Sequence, residues 1–238
     1  MSIPLFFQSV GMVGQPVMLD EVHSRHALQV LRMQAGDKME LTNGYGLLWA
    51  ATITDAGKKK CIVQIESETK IERGVSRKVG IAISPIKNTG RYEWFLEKAT
   101  ELGVADIFPL LCHRTERAHF RLDRMKQILI SAMLQSRQVW LPVLHDPVPF
   151  TTLVNNKSET GYRQKWIAHC EYQEKPPLAS VIQPHMQDGL LLIGPEGDFT
   201  TGEILEATNG GFKAISLGNT RLRTETAGVA GASLMCLL

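Results

Sequence analysis

Residues 191–205 read LLIGPEGDFTTGEIL. The lead-in GLLLIG has no polar face, which predicts a strand buried on both sides. Gly194-Pro195-Glu196-Gly197 then forbids both helix and strand. Thr200 and Glu203 form a capping-box pair, and Phe199 and Ile204 fall at the two positions of a hydrophobic staple, so a helix start is specified twice. The four intervening residues become a rigid loop at the carboxyl end of a buried strand, where open α/β sheets bind ligands. Glycine lets a ligand approach the backbone, and proline stiffens the loop. A plain strand-to-helix turn is the competing reading.

Outward from this loop, residues 73–238 alternate strands with helices. VGIAISPI, VADIFPLL, KWIAHC, GLLLIG and AISLG read as strands; GRYEWFLEKATELG, LDRMKQILISAMLQS, EILEATNGG and TETAGVAGASLMCLL read as helices. Tyr92, Phe95, Ala99 and Leu102 share one face of the first helix, and Gly103 stops it. The pattern predicts a mostly parallel sheet. Residues 1–72 are β-rich instead, with Asn43-Gly44 and Asp55-Ala56-Gly57 as turns. HSRHALQVLRM reads as one helix with Ala27, Val30 and Leu31 on its face. Short strands at this spacing suggest a small barrel, and TKIERGVSRK marks the boundary.

A second loop, SLGNTRLRTETAG, lies between the last strand and the last helix. Thr224 suits the N-cap and Glu225 the first turn. Ala227, Gly228, Ala230, Gly231 and Ala232 give that helix almost no bulk, so another backbone must come close.

Several classes are unsupported. No Gly-x-Gly-x-x-Gly follows a strand, and no P-loop or Gly-x-Ser-x-Gly elbow is present. Cys61, Cys112, Cys170 and Cys236 are scattered, which argues against zinc and against a disulfide framework and fits a reducing, cytoplasmic setting. His23 and His26 lack a third ligand, so no metal is expected. No apolar run reaches the roughly 18 residues of a membrane span, and MSIPLFFQSV does not read as a signal peptide. The net charge of +2 announces no nucleic-acid partner.

Jointly these segments carry a resemblance. GPEGDFTTGE and LGNTRLRTETA, with RYEWFLEKATELGVADIFPL, AMLQSRQVWLP and HALQVLRMQAGDKMELTNGYG, resemble motifs of the RsmE family, in the right order over nearly the whole chain. The resemblance implies a PUA-like RNA-binding β-barrel over residues 1–72. It implies a SPOUT methyltransferase domain with a C-terminal trefoil knot over residues 73–238, working as a homodimer. The implied reaction is S-adenosylmethionine-dependent methylation of N3 of one uridine in 16S ribosomal RNA, within the small ribosomal subunit. Cofactor contacts implied by the two loops are Ile193, Gly194, Pro195, Glu196, Gly197, Leu217, Gly218, Leu222 and Thr226. Two positions depart from the family pattern. Asp198 replaces a glycine, which predicts little need for positive φ there, although Asp tolerates it better than most. Arg221 replaces an aliphatic residue.

Uracil N3 is a poor nucleophile until it loses its proton, and the charge then spreads to the flanking carbonyl oxygens. Arg91 and Arg223 are the candidates to bind and polarise the uridine. Glu225 either orients an arginine or only complements the helix dipole. The sequence identifies no general base. Residues 1–70 balance seven Lys/Arg against seven Asp/Glu. Local basic groups remain as RNA-binding candidates: Arg25, Arg32, Lys58, Lys59 and Lys60, then Lys87, Arg114 and Arg117. The alternatives are a SPOUT enzyme acting on another RNA and a catalytically silent RNA-binding ribosome-assembly protein.

Overall fold

A computed structural model describes residues 3–57, 60–74, 77–116, 120–155, 161–182 and 188–238. They form two compact units: residues 1–73 with 133–141, and residues 74–132 with 142–238. The return of residues 133–141 to the first unit has no counterpart in the sequence division, because AMLQSRQVWLP continues the helical period before it.

The first unit holds β1 (Leu5–Phe7), β2 (Pro16–Met18), α1 (Glu21–Arg25), β3 (Lys38–Thr42), β4 (Leu47–Ala56) and β5 (Cys61–Lys70). The sheet order is β1-β3-β4-β5-β2. Phe6, Leu41, Trp49, Ile53, Val63 and Ile65 build one core from it. Asn43 organises the β3–β4 turn, its side-chain oxygen accepting from Tyr45 N at 2.8 Å. The expected single helix is corrected. After α1 the chain makes a π-helical turn over His26–Val30. The wider turn shifts the helical phase, so Ala27 stays buried while Val30 and Leu31 face solvent, 67% and 43% exposed. Residues 133–141 join this unit through Trp140, whose indole N–H donates to the Ile71 carbonyl at 2.9 Å.

The second unit runs β6 (Val79–Ile83), α2 (Thr89–Leu102), β7 (Asp106–Leu111), α3 (Leu122–Gln135), β8 (Val143–Leu144), β9 (Val148–Pro149), α4 (Phe150–Asn155), β10 (Gln164–Ala168), α5 (Leu178–Val181), β11 (Gly189–Ile193), α6 (Thr201–Asn209), β12 (Lys213–Ile215) and α7 (Thr224–Leu237). The sheet order is β12-β10-β11-β6-β7-β8, with β9 on β7, and every pairing is parallel. Central β6 and β11 are buried at every residue, which is why they read as unbroken apolar runs. Gly103 ends α2 in the left-handed conformation, φ +90°. The small residues of α7 are consumed within its own unit. A Cβ on Gly231 would sit 2.3 Å from Leu191, and one on Gly228 would sit 2.7 Å from Ile83 and Phe95.

No helix among the described residues is long and apolar enough to cross a membrane.

Candidate active site

The parallel sheet puts the carboxyl ends of β10, β11 and β12 on one edge. There the loop after β11 meets the segment before α7. Thr200 caps α6, and Glu203 completes the reciprocal bond to Thr200 N at 2.8 Å. Glu203 does more than cap: its other oxygen accepts the His113 N–H, also at 2.8 Å. Phe199 and Ile204 are buried in one cluster, as the staple requires.

Asp198 corrects the sequence expectation. Its φ is +64°, in the left-handed region. Its carboxylate compensates locally, accepting Phe199 N at 2.8 Å and Cys170 N at 2.7 Å. The second bond ties the loop to the end of β10. Arg114 fastens it from the end of β7, donating to the Gly197 carbonyl at 2.6 Å. Thr224 fastens it from α7, its hydroxyl donating to the Gly194 carbonyl at 3.1 Å. Thr224 is therefore not the N-cap. That position falls to Arg223, which makes no side-chain capping bond.

Between the two segments lies a cavity of about 370 Å³. Ile193, Gly194, Pro195, Glu196 and Asp198 border it on one side and residues 221–225 on the other, with Arg91 and Cys170 also on its wall. An adjoining cavity of about 370 Å³ carries Leu217, Gly218, His169 and Lys175, and shares Arg221 and Leu222 with the first. Both volumes fall in the range of small-molecule sites. Gly218 turns with φ +136°, pinned by the Ser216 hydroxyl.

Glu225 is buried, and its partner is Arg91, with Nε 3.7 Å from the carboxylate. Arg223 is exposed, and its side chain makes no ion pair or hydrogen bond with any described residue. Two predicted contacts border neither cavity. Thr226 is exposed, and the Cβ direction of Gly197 points at Arg114, 3.2 Å from Cδ, rather than into the cavity. Gly194 likewise faces the Phe199 ring at 3.1 Å. These glycines make room for the protein's own side chains.

Sequence reasoning missed three features here. His169 is buried, and burial followed by the Lys175 charge pushes its pKa down. Lys175 Nζ donates to the His169 carbonyl at 2.6 Å and lies 3.3 Å from Nδ1. Burial and then Asp198 push the Cys170 thiol up. The signal was the polar pair His169-Cys170 at the carboxyl end of a parallel strand. Arg114, an expected RNA contact, is exposed and donates to the loop through Nη1. Lys87 is exposed and pairs with Glu116 at 3.5 Å. Arg25, Arg32 and Lys60 are exposed on the first unit, Arg32 with φ +55°. Lys58, Lys59 and Arg117 lie outside the described residues. Among the described residues, no three His, Cys, Asp or Glu side chains stand together as a metal site.

The family model for an RNA methyltransferase domain matches residues 74–236, and that for an RNA methyltransferase PUA domain matches residues 21–66. Ribosomal RNA small subunit methyltransferase E of Synechocystis is 31% identical over 221 residues, 90% of this chain and 71% of the relative. The chain belongs to the ribosomal RNA small subunit methyltransferase E family. Solved structures of ribosomal RNA methyltransferases align along the whole fold. A probable rRNA-methyltransferase from Porphyromonas gingivalis superposes with TM-score 0.88 at 34% identity, covering 97% of this chain and 95% of that one. Methyltransferase E from Neisseria gonorrhoeae, bound to S-adenosyl methionine, superposes with TM-score 0.87 at 29% identity, covering 98% and 97%.

Proposed function

We propose that the protein transfers a methyl group from S-adenosylmethionine to N3 of a uridine in 16S ribosomal RNA, in the cytoplasm and in the context of the small ribosomal subunit. One observation carries this reading: a two-part cavity at the carboxyl ends of β10, β11 and β12, bounded by the two loops that mark the family.

The residues present suit the cofactor. Ile193, Leu222 and Ala227 give an apolar wall, and Leu217-Gly218 offers backbone with no atom within 4 Å of the missing Cβ. When bound, S-adenosylmethionine supplies a methyl group on a cationic sulfur. The chain's own part is to bind and orient the uridine. In this reading Arg223, uncommitted at the rim, would hold a uracil carbonyl, and Arg91, steered by Glu225, would hold the other side. The first unit would grip RNA through Arg25, Arg32 and the lysines near residue 60.

Two architectural readings go with it. We infer a trefoil knot, because α7 follows β12 yet packs back on β6 and β11, across the far side of β10 from its own starting strand. We infer a homodimer, because α2 and α7 pack together and leave Trp94 and Leu237 43% and 71% exposed. A monomer mass by light scattering at micromolar concentration would contradict the dimer.

The function is tested by mapping N3-methyluridine in ribosomal RNA from a strain lacking this protein, before and after complementation. Unchanged methylation would refute it.

A further inference from the structure

The proposed reaction needs a group to take the proton from uracil N3, and the cavity offers few. Among the described residues on its wall, the candidate acceptors are Cys170, Glu196, Asp198 and Glu225, with His169 next door. Four of the five are committed. The Cys170 thiol keeps its proton at neutral pH, since burial and then the Asp198 charge raise its pKa above the ordinary thiol value. Both oxygens of Asp198 hold backbone N–H groups, and those bonds fix the loop. Glu225 is buried against Arg91. His169 receives the Lys175 ammonium at Nδ1, and Gln173 stands 3.0 Å from Nε2. Glu196 differs: its carboxylate is exposed on the cavity rim, with no hydrogen bond or ion pair to any described residue.

We propose that Glu196 is the general base that accepts the N3 proton. The proposal rests on the uridine-methyltransferase reading. The N3–H bond breaks and its electron pair stays on nitrogen, while the proton passes to a Glu196 carboxylate oxygen. That pair forms the new N–CH₃ bond as the methyl–sulfur bond breaks with its own pair left on sulfur. Glu196 then releases the proton to solvent. The charged and titratable groups around it divide by element. Arg221 and Arg223 face the cavity from the segment leading into α7, Glu225 from the first turn of α7, Arg91 from α2, Cys170 from the segment after β10 and Asp198 from Glu196's own loop, and Arg114 lies behind Gly197. Guanidinium groups facing the uracil oxygens offset the charge that builds as the proton leaves.

Glu196→Gln preserves shape and removes the acceptor. Three readouts on one preparation test the idea: cofactor affinity by calorimetry, RNA affinity by filter binding, and the single-turnover rate against pH. Both affinities should stay within about twofold, while the rate falls roughly 10²-fold or more. The log rate of the wild type should be flat between about pH 6.5 and 8.5, whereas Glu196→Gln should rise with unit slope, because only prior ionisation of uracil then supplies the nucleophile. Glu196→Asp should recover part of the rate and flatten the profile. A Glu196→Gln protein with weakened cofactor affinity and the wild-type pH profile would make this carboxylate a cofactor contact and overturn the proposal. A wild-type rate in Glu196→Gln would overturn it alone, leaving the parent reading intact. A wild-type protein that binds the cofactor but never yields N3-methyluridine would remove both.

Discussion

The Arg114 guanidinium donates to the Gly197 carbonyl at 2.6 Å, joining the ends of β7 and β11 across 83 residues of chain. The same arginine's Cδ stands where a Cβ on residue 197 would need space. The two residues are therefore one device. Gly197→Val should push the arginine off and loosen the loop, weakening cofactor affinity about tenfold while the fold persists. Arg114→Ala should do the same, and the double variant should be no worse than either single one. Calorimetry on the three proteins checks this; additive losses would mean that the residues act separately.

Arg223 stands at the rim, and the buried carboxylate nearest in sequence, Glu225, is turned to Arg91. A bracing role for Arg223 through Glu225 thus has no geometric support. Arg223→Ala should lower the single-turnover rate about 10²–10³-fold, with cofactor affinity and melting temperature nearly unchanged. A near wild-type rate would take Arg223 out of the reaction.

Glu225→Gln tests the opposite pairing. The carboxylate is 9% exposed on its side chain, and Arg91 is 44% exposed, so the pair contributes little to stability and mainly sets the arginine's direction. Turnover should fall about tenfold in Glu225→Gln. The double variant Arg91→Ala with Glu225→Gln should match Arg91→Ala alone, as read from a double-mutant cycle on single-turnover rates.

At the opposite end of the sheet, Asp106 gathers Tyr162 OH, His145 Nε2 at 2.7 Å and Lys78 Nζ at 2.7 Å. Burial pushes its carboxyl upward, but the hydrogen bonds from His145, Lys78 and Tyr162 together outweigh burial and hold its pKa at about 2. A depressed folded-state pKa gives stability that is present above the unfolded value, near 3.9, and lost as pH falls through about 2. The contribution is of order 2 kcal/mol at neutral pH. Asp106→Asn should be less stable at pH 7 and should lose less stability than the wild type between about pH 4 and 2. Urea titrations at several pH values check this, and parallel acid limbs in the two proteins would contradict it.

The α/β half was legible because its signals are local and repeated: apolar strands, the Thr200–Glu203 capping box, and Gly103 as a stop. The location of the site followed from the same signals, since a buried strand can release its chain only at an edge. What could not be read was pairing across distance. Nothing in the sequence turns Glu225 toward Arg91, or Arg114 toward Gly197, and the glycines looked like space for a ligand when they are space for Phe199 and Arg114. Asp198 misled for a related reason: its positive φ is stabilised by a bond to Cys170, 28 residues away. The π-turn after α1 was hidden because one extra residue in a helical turn leaves the apolar composition unchanged.

The cavity's second wall is made of residues 221–225 with Ala227, and α7 reaches its place only by setting Gly228 and Gly231 against β6, α2 and β11. A ribosome making this chain delivers β6 through β12 before α7. During folding, β11 and the Arg114 clamp can form with nothing opposite them. The site is complete only once α7 docks, and its maturation rate is the docking rate of one glycine-bearing helix. A bulky residue at position 231 would therefore act as a block on assembly, leaving the first unit intact and the chain permanently unfinished.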